Sequence, residues 1–266
     1  MIPKIELASN KEIPILGLGT YKLTGLKCID AIKSALKIGY THIDTAEYYE
    51  NETEIGVAIK SINRSKLFLT SKVKPSNLKY DDVINACKKS LNKLETKYLD
   101  LYLIHWPNFQ IPLTETFKAF EYLVNIGMVK SIGISNFTTK LVTEAIKASK
   151  LPIVTNQIEF HALLYQKKLL EYCIQNNIFI TAYCPIARGK VNDNNILVDL
   201  SVKYNKTPIQ ISLRWLIQKK IIVIPKASSL NHLEENFNIF DFEIDINDIN
   251  KIDSIGEQLR LVSLGF

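Results

Sequence analysis

The chain has 266 residues, 47% of them hydrophobic and 23% charged, a balance that excludes a disordered or fibrous protein and supplies a large core. Its formal charge of +6 comes from 33 basic and 27 acidic residues that are interspersed, without a Lys- or Arg-rich run, so a nucleic-acid partner is not expected. The cysteines Cys28, Cys87, Cys173 and Cys184 lie far apart with no CxxC spacing, which suits reduced thiols in a cytoplasmic protein and no metal site.

The first ten residues carry Pro3, Lys4 and Glu6 and lack the apolar stretch of a signal peptide. Two apolar runs, Ile5–Leu7 and Ile13–Leu16, flank the polar stretch Ala8–Lys11 and predict a short hairpin. From there short β-type runs alternate with helical patterns. A first strand is expected around Leu16–Leu18 and a second at Thr41–Asp44. Leu67–Lys72 follows a helical pattern over Glu52–Ser61. Leu99–His105 follows Val83–Leu94, whose apolar residues recur at i, i+3, i+4 and i+7. Ser131–Ser135 follows Thr116–Ile126, and Val154–Glu159 follows Leu141–Ser149. Phe179–Tyr183 follows Lys168–Asn176. Ile221–Pro225 follows Ile209–Lys219, after an insertion at Asn192–Tyr204. The acidic segment Phe240–Asp253 is expected outside the barrel. No apolar run approaches the ~18 residues of a membrane span.

Strand ends about 30 residues apart match βα units. Eight of them predict an α/β fold of the (β/α)8 TIM-barrel class, a single domain over 1–266 with the hairpin capping the barrel bottom. An open dinucleotide-binding sheet is the rival. It is not expected, because Gly17-Leu18-Gly19 lacks the third glycine and the following helix of that motif.

Barrel chemistry sits at the C-terminal ends of the strands. Those ends read Asp44, Lys72, His105, Ser135-Asn136, Gln157, Glu159, Tyr183 and Lys226. Each alone has a plain explanation: an Asp as turn former, a solvated Lys, a packed His, a barrel-filling Tyr. Their convergence on one mouth points to a site.

The strings DTAEYYENE, TSKVKPSN, LIHWP, GISNF, NQIEFH, AYCPIARGK and IPKASS, in this order from about Leu16 to Phe242, resemble the aldo-keto reductase family. The short chain resembles its microbial branch of 2,5-diketo-gluconate and broad aldehyde reductases. The resemblance implies reduction of an aldehyde or ketone by NADPH, with NADH as a second option. It implies that Tyr49 donates the proton, that Lys72 lowers its pKa, that Asp44 pairs with Lys72, and that His105 orients the carbonyl. It implies a cofactor site of Gly19, Thr20, Asp44, Ser135, Asn136 and Gln157, with Tyr183 stacked on the nicotinamide and Cys184, Pro185, Ile186 and Ala187 passing the pyrophosphate.

At the adenine end the matching positions are Lys226, Ser228, Ser229, His232, Glu235 and Asn236. His232 stands where many relatives carry an arginine, so a smaller NADPH-over-NADH preference is expected. Tyr21, Tyr48 and Trp106, with His105, would wall a pocket for a small carbonyl compound, with Asn108 and Phe109 on the loop beyond. The resemblance also implies a monomer or weak homodimer, with neither nucleic acid nor membrane as partner. Two other functions are open to a barrel. A glycosidase would use Asp44 and Glu159, with Glu47 nearby, but leaves the Tyr183 and Lys226 segments unexplained. An aldo-keto reductase-like regulatory subunit would bind the cofactor with little turnover, which intact Asp44, Tyr49, Lys72 and His105 argue against.

Overall fold

The computed structural model describes residues 2–263. Strands β1 (Lys4–Glu6) and β2 (Glu12–Pro14) form the antiparallel hairpin. Asn10 adopts φ 57 in its turn, a left-handed conformation that Asn tolerates better than most residues. Eight parallel strands follow: β3 (Leu18–Gly19), β4 (His42–Asp44), β5 (Phe68–Val73), β6 (Leu99–Ile104), β7 (Val129–Ser135), β8 (Ile153–Glu159), β9 (Phe179–Tyr183) and β10 (Ile222–Val223). Each pairs with its successor. The ends of the sheet then meet. Gly17 N–H donates to Val223 O at 2.8 Å, and Val223 N–H to Ile15 O at 2.8 Å, closing the barrel. Gly19 is required by that closure, because a Cβ there would lie 2.6 Å from Ile224 O.

Helices α1 (Gly25–Ile38), α2 (Glu52–Ile59), α3 (Tyr80–Lys93), α4 (Leu113–Asn125), α5 (Thr139–Ala148), α6 (Lys167–Gln175), α7 (Asn195–Tyr204), α8 (Pro208–Gln218), α9 (Leu230–Phe237) and α10 (Ile246–Asp253) surround the sheet. Their sequences explain their limits. Thr207 caps α8 in a reciprocal capping box with Gln210, and Pro208 fills the first helical position, where its missing N–H costs nothing. Helix α1 stops at Gly39, whose φ of 122 other residues rarely adopt. Helix α3 buries Val83, Ile84, Cys87 and Leu91 against the barrel and turns its charged residues outward.

Period-two alternation along β5 sorts its side chains. Phe68 joins a core at the barrel bottom with Leu101, Leu103, Val154 and Ile222, plugged from below by Leu7 and Ile13 of the hairpin. Thr70 Oγ1 meets His42 Nε2 at 3.1 Å, and Lys72 lies at the top. Ser71 points the other way and donates to Glu52 of α2 at 2.7 Å.

Several elements differ from the sequence expectation. The first and last barrel strands are shorter, because Leu16 and Val223 meet only in an isolated bridge and Pro225 has no N–H to give. The insertion expected at Asn192–Tyr204 is α7, capped by Asn194, and it is preceded by a 3-10 stretch, Ala187–Asp193. Among the described residues no helix is long and apolar enough to cross a membrane.

Candidate active site

Strand β4 ends in Asp44, and a turn of 3-10 helix, Glu47–Tyr49, brings Tyr49 back over the mouth. Asn51 fixes this loop. It is fully buried, accepts from Thr45 Oγ1 at 2.7 Å, and donates to Thr20 O at 2.8 Å and Leu23 O at 2.9 Å. Glu47 holds the other side, accepting from Lys74 N–H at 3.1 Å and from Asn77 Nδ2 at 2.7 Å.

Lys72 reaches the same spot from β5. Its ammonium has three protons and three partners: Asp44 Oδ1 at 2.5 Å, Thr45 O at 2.7 Å and Tyr49 Oη at 3.4 Å. The Lys72 and Asp44 side chains are only 0% and 2% exposed, so the pair is dry. Because Tyr49 Oη accepts from Lys72, its own proton is free to point into the mouth. His105 follows β6, its ring 5.5 Å from that of Tyr49 and edge-on to it. Its buried Nδ1 has no hydrogen-bond partner. Sequence-predicted Asp44, Tyr49, Lys72 and His105 thus gather in one place.

The expectation is a Tyr49 pKa lowered by Lys72; the net shift of the phenol runs the other way. Burial, and then the negative charge of Asp44, push the Tyr49 phenol well above its ordinary value. The physical reason is that Asp44 neutralises the Lys72 ammonium at close range, so little net positive charge acts on Tyr49. Burial pulls the Lys72 pKa down, and Asp44 holds it back up. Burial, with Lys72 nearby, pulls His105 down to about 3. The resting site therefore holds a protonated phenol and a neutral imidazole, both able to donate a hydrogen bond to a carbonyl oxygen.

The remaining predicted residues divide into groups around the mouth. Ser135 Oγ donates to Gln157 O at 2.8 Å, Asn136 Nδ2 to His105 O at 3.0 Å, and Tyr183 Oη to Asn136 Oδ1 at 2.8 Å, so these four are brought together. Tyr183 is half-buried. Gly19 and Thr20 are buried beside Asp44, whose carbonyl accepts from Thr20 Oγ1 at 2.9 Å. Beyond Tyr183 the chain turns sharply, with positive φ at Cys184, Ala187, Arg188 and Gly189. Pro185 and Ala187 are buried, and Cys184 and Ile186 half-buried. Lys226, Ser229 and His232 are exposed around the start of α9, where Ser229 caps the helix by accepting from His232 N–H at 3.3 Å. Ser228 and Glu235 are half-buried there, whereas Asn236 is 2% exposed.

Aromatic rings form the rim: Tyr21 lies 5.1 Å from Tyr49 and Tyr48 6.3 Å from His105, with Trp106 half-buried alongside. Asn108 instead donates to Pro75 O at 2.9 Å and shapes the loop that carries Phe109, which is 67% exposed.

Sequence reasoning missed three contributors. The Thr45 carbonyl has no signal in residue type, since every residue has one. Asn51 and Glu47 were visible in the signature but without a role. Glu159 was visible too, as a candidate acid. It is fully buried, and its oxygens accept from His161 Nε2 at 3.1 Å, Leu261 N–H at 2.7 Å and Val262 N–H at 2.8 Å. Burial raises its pKa, but these hydrogen bonds outweigh that and hold the carboxyl below its usual value. A carboxylate so engaged anchors the C-terminal tail and does not suit a glycosidase acid.

The Aldo/keto reductase family matches residues 15–257. The chain belongs to this family. The aldo-keto reductase is 38% identical over 260 residues to a glyoxal reductase of Bacillus subtilis (strain 168), covering 97% of this chain and 94% of that protein. An aldo-keto reductase from a Medee basin deep-sea metagenome library superimposes with a TM-score of 0.95 at 38% identity, covering 97% of each chain. A Bombyx mori aldo-keto reductase in complex with NADP superimposes with a TM-score of 0.92 at 31% identity, covering 99% of this chain and 95% of that one. The aldo-keto reductase described here is an NAD(P)H-dependent oxidoreductase of this type, related to the microbial branch.

Proposed function

We propose that the enzyme uses NADPH to reduce small aldehydes or ketones to alcohols, with Tyr49 as the general acid. The observation that carries the reading is the hydrogen-bonded row from buried Asp44 and Lys72 to half-buried Tyr49 at the barrel mouth, with His105 beside it.

The residues present fit the cofactor. Tyr183 offers a half-buried ring face. Ser135, Asn136 and Gln157 offer amide and hydroxyl groups next to it for the carboxamide. Gly19, Thr20 and Asp44 line the same end. The positive-φ turn from Cys184 through Pro185, Ile186 and Ala187 gives the backbone the curvature of an anion-binding nest for the pyrophosphate. Lys226, Ser228, Ser229 and His232 would meet the 2′-phosphate at the start of α9, with Glu235 and Asn236 toward the adenine. NADPH bound in this way supplies the hydride that the carbonyl carbon receives.

The chain's own groups handle the oxygen. Tyr49 Oη transfers its proton to the carbonyl oxygen, and neutral His105 donates a hydrogen bond to the same atom. The Tyr49 phenolate left behind keeps the hydrogen bond from Lys72, now between opposite charges. The ammonium therefore helps most as negative charge develops on the phenol, where stabilisation accelerates the step. The aromatic rim of Tyr21, Tyr48 and Trp106 offers apolar faces that suit small, partly apolar substrates. The glyoxal reductase relative supports small aldehydes, and the Bombyx mori complex supports NADP(H).

Tyr49→Phe tests the reading. Its expected kcat for an aromatic aldehyde is lower by about 10²–10⁴-fold, with NADPH affinity by fluorescence titration nearly unchanged. Full activity in the variant would overturn the assignment. Failure of the wild type to oxidise NADPH with any of a broad carbonyl panel would overturn the reaction.

A further inference from the structure

Gln157 and Asp44 are 113 positions apart and lie on β8 and β4, which are not neighbours in the sheet. Yet Gln157 Nε2 is 2.7 Å from Asp44 Oδ2, so one hydrogen bond crosses the barrel interior. The two residues are 2% and 1% exposed. An ionised carboxylate only accepts hydrogen bonds. The NH2 end of Gln157 must therefore face Asp44, and Oε1 is turned away from it. The backbone at this point is held as well: Gln157 O accepts from Ser135 Oγ at 2.8 Å and from Asn136 N–H at 2.9 Å. Asp44 uses its other oxygen for Lys72, and Lys72 reaches Tyr49. An unbroken hydrogen-bonded row runs from Gln157 through Asp44 and Lys72 to the phenol.

We propose that Gln157 is a positioning residue that couples nicotinamide binding to the proton donor, its Nε2 holding Asp44 while its Oε1 accepts from the carboxamide. The second half rests on the cofactor site proposed above; the first is a property of the protein alone. Accepting a hydrogen bond at Oε1 polarises the amide and makes its N–H a stronger donor to Asp44. Asp44 then neutralises Lys72 less completely, and more of the ammonium's charge is left for the developing Tyr49 phenolate. The proton donor is thereby readied when the hydride donor is in place.

The titratable groups that face the Asp44–Gln157 contact are Lys72 from β5, His42 from lower on β4, Tyr49 from the 3-10 turn, His105 beyond β6, and Tyr183 at the end of β9. Among the described residues, Lys72 is the resident cation there.

Gln157→Glu gives a distinctive test, since it keeps the shape and sets a second carboxyl against Asp44. Two carboxyls at that distance share a proton, so the introduced group stays protonated well above the ~4.3 of a free glutamate. The sign follows from the raised folded pKa. Relative to wild type, the variant is most stable below about pH 4.3 and loses stability as pH rises through the folded value. The expected result, in protein without NADPH, is a Tm deficit that grows between about pH 5 and 9. Gln157→Met, which cannot ionise, shows a constant offset. At saturating NADPH, Gln157→Met is expected to lose about tenfold or more in kcat, the worth of a hydrogen bond to a charged group. Gln157→Glu recovers much of that at pH 6, where the introduced carboxyl can donate, and loses it at pH 9. NADPH affinity of Gln157→Glu, by fluorescence titration against wild type, weakens over the same pH interval.

A pH-independent Tm offset for Gln157→Glu overturns the cross-barrel contact. A Tm response with no parallel response in NADPH affinity overturns the coupling. Unchanged kcat in Gln157→Met at saturating NADPH overturns the positioning role, including the case where Gln157→Glu does not fold. Failure of the wild type to reduce any carbonyl would instead overturn the proposed function and leave the Tm result standing.

Discussion

Asp44→Asn removes a charge and almost no volume. Lys72 is then left with a buried ammonium whose partners are all neutral: the Thr45 carbonyl, the Tyr49 hydroxyl and at most the introduced amide oxygen. With the Lys72 side chain 0% exposed, water cannot take the place of the carboxylate. Breaking a buried ion pair by removing one partner costs about 3–5 kcal/mol. At about 2–4 °C per kcal/mol for a domain of this size, Asp44→Asn lowers Tm by about 6–20 °C near pH 7. The loss also has a pH signature. Burial lowers the Lys72 pKa, and Asp44 is the group that holds it up. Without Asp44 the folded pKa falls further below the unfolded value of about 10.4. Unfolding then takes up a proton throughout that window, so the stability of the variant rises with pH across it. The Tm deficit narrows as pH is raised from about 6 toward 9.5. The double variant Asp44→Asn/Lys72→Met leaves no uncompensated charge, recovers most of the stability, and stays inactive. Calorimetry on wild type, both single variants and the double over this pH range is the assay. An Asp44→Asn deficit below about 2 °C, or one that widens with pH, would refute the account of a dry, mutually dependent pair.

The low pKa of His105, about 3, makes it neutral across the physiological range, so kcat/KM should carry no inflection near pH 6.5 from this residue. An inflection there that disappears in His105→Gln would refute its neutrality. Because the folded value lies below the unfolded one, His105 withdraws stability as pH falls from about 6.5 toward 3, and His105→Gln should lose less over that interval. At the other end of the cofactor site, Lys226→Ala should weaken NADPH about tenfold or more and leave NADH unchanged, a charge-assisted hydrogen bond being at stake. His232→Arg should raise the NADPH-over-NADH ratio of kcat/KM, since a guanidinium is charged at every physiological pH and binds phosphate with two parallel donors. Equal losses for both cofactors in the first variant, or no gain in the second, would remove these residues from the 2′-phosphate site.

The fold was largely legible because its determinants are local. Apolar runs and periodicity marked six helix–strand alternations, and turn residues marked their limits. Local pattern found both strands of the barrel seam but not their limits. Leu16–Gly19 and Ile222–Val223 meet only because the sheet curls round on itself, so their paired lengths are set by closure and not by the apolar run. The 3-10 stretch Ala187–Asp193, which begins ahead of the expected insertion at Asn192–Tyr204, was not anticipated, because its left-handed residues Ala187 and Arg188 are types that give no hint of positive φ.

By itself the sequence determined which polar groups stand at the strand ends, since side-chain period and strand order place Asp44, Lys72, His105 and Gln157 at one mouth. Only the tertiary structure decided how those groups are charged and connected. Whether Lys72 acidifies Tyr49 depends on how much of its charge Asp44 cancels, and whether Glu159 is free to act depends on the tail that occupies it. Those answers turn on distances of a few ångströms and on the exclusion of water, which vary with packing across the whole barrel and leave no trace in the order of residues along the chain.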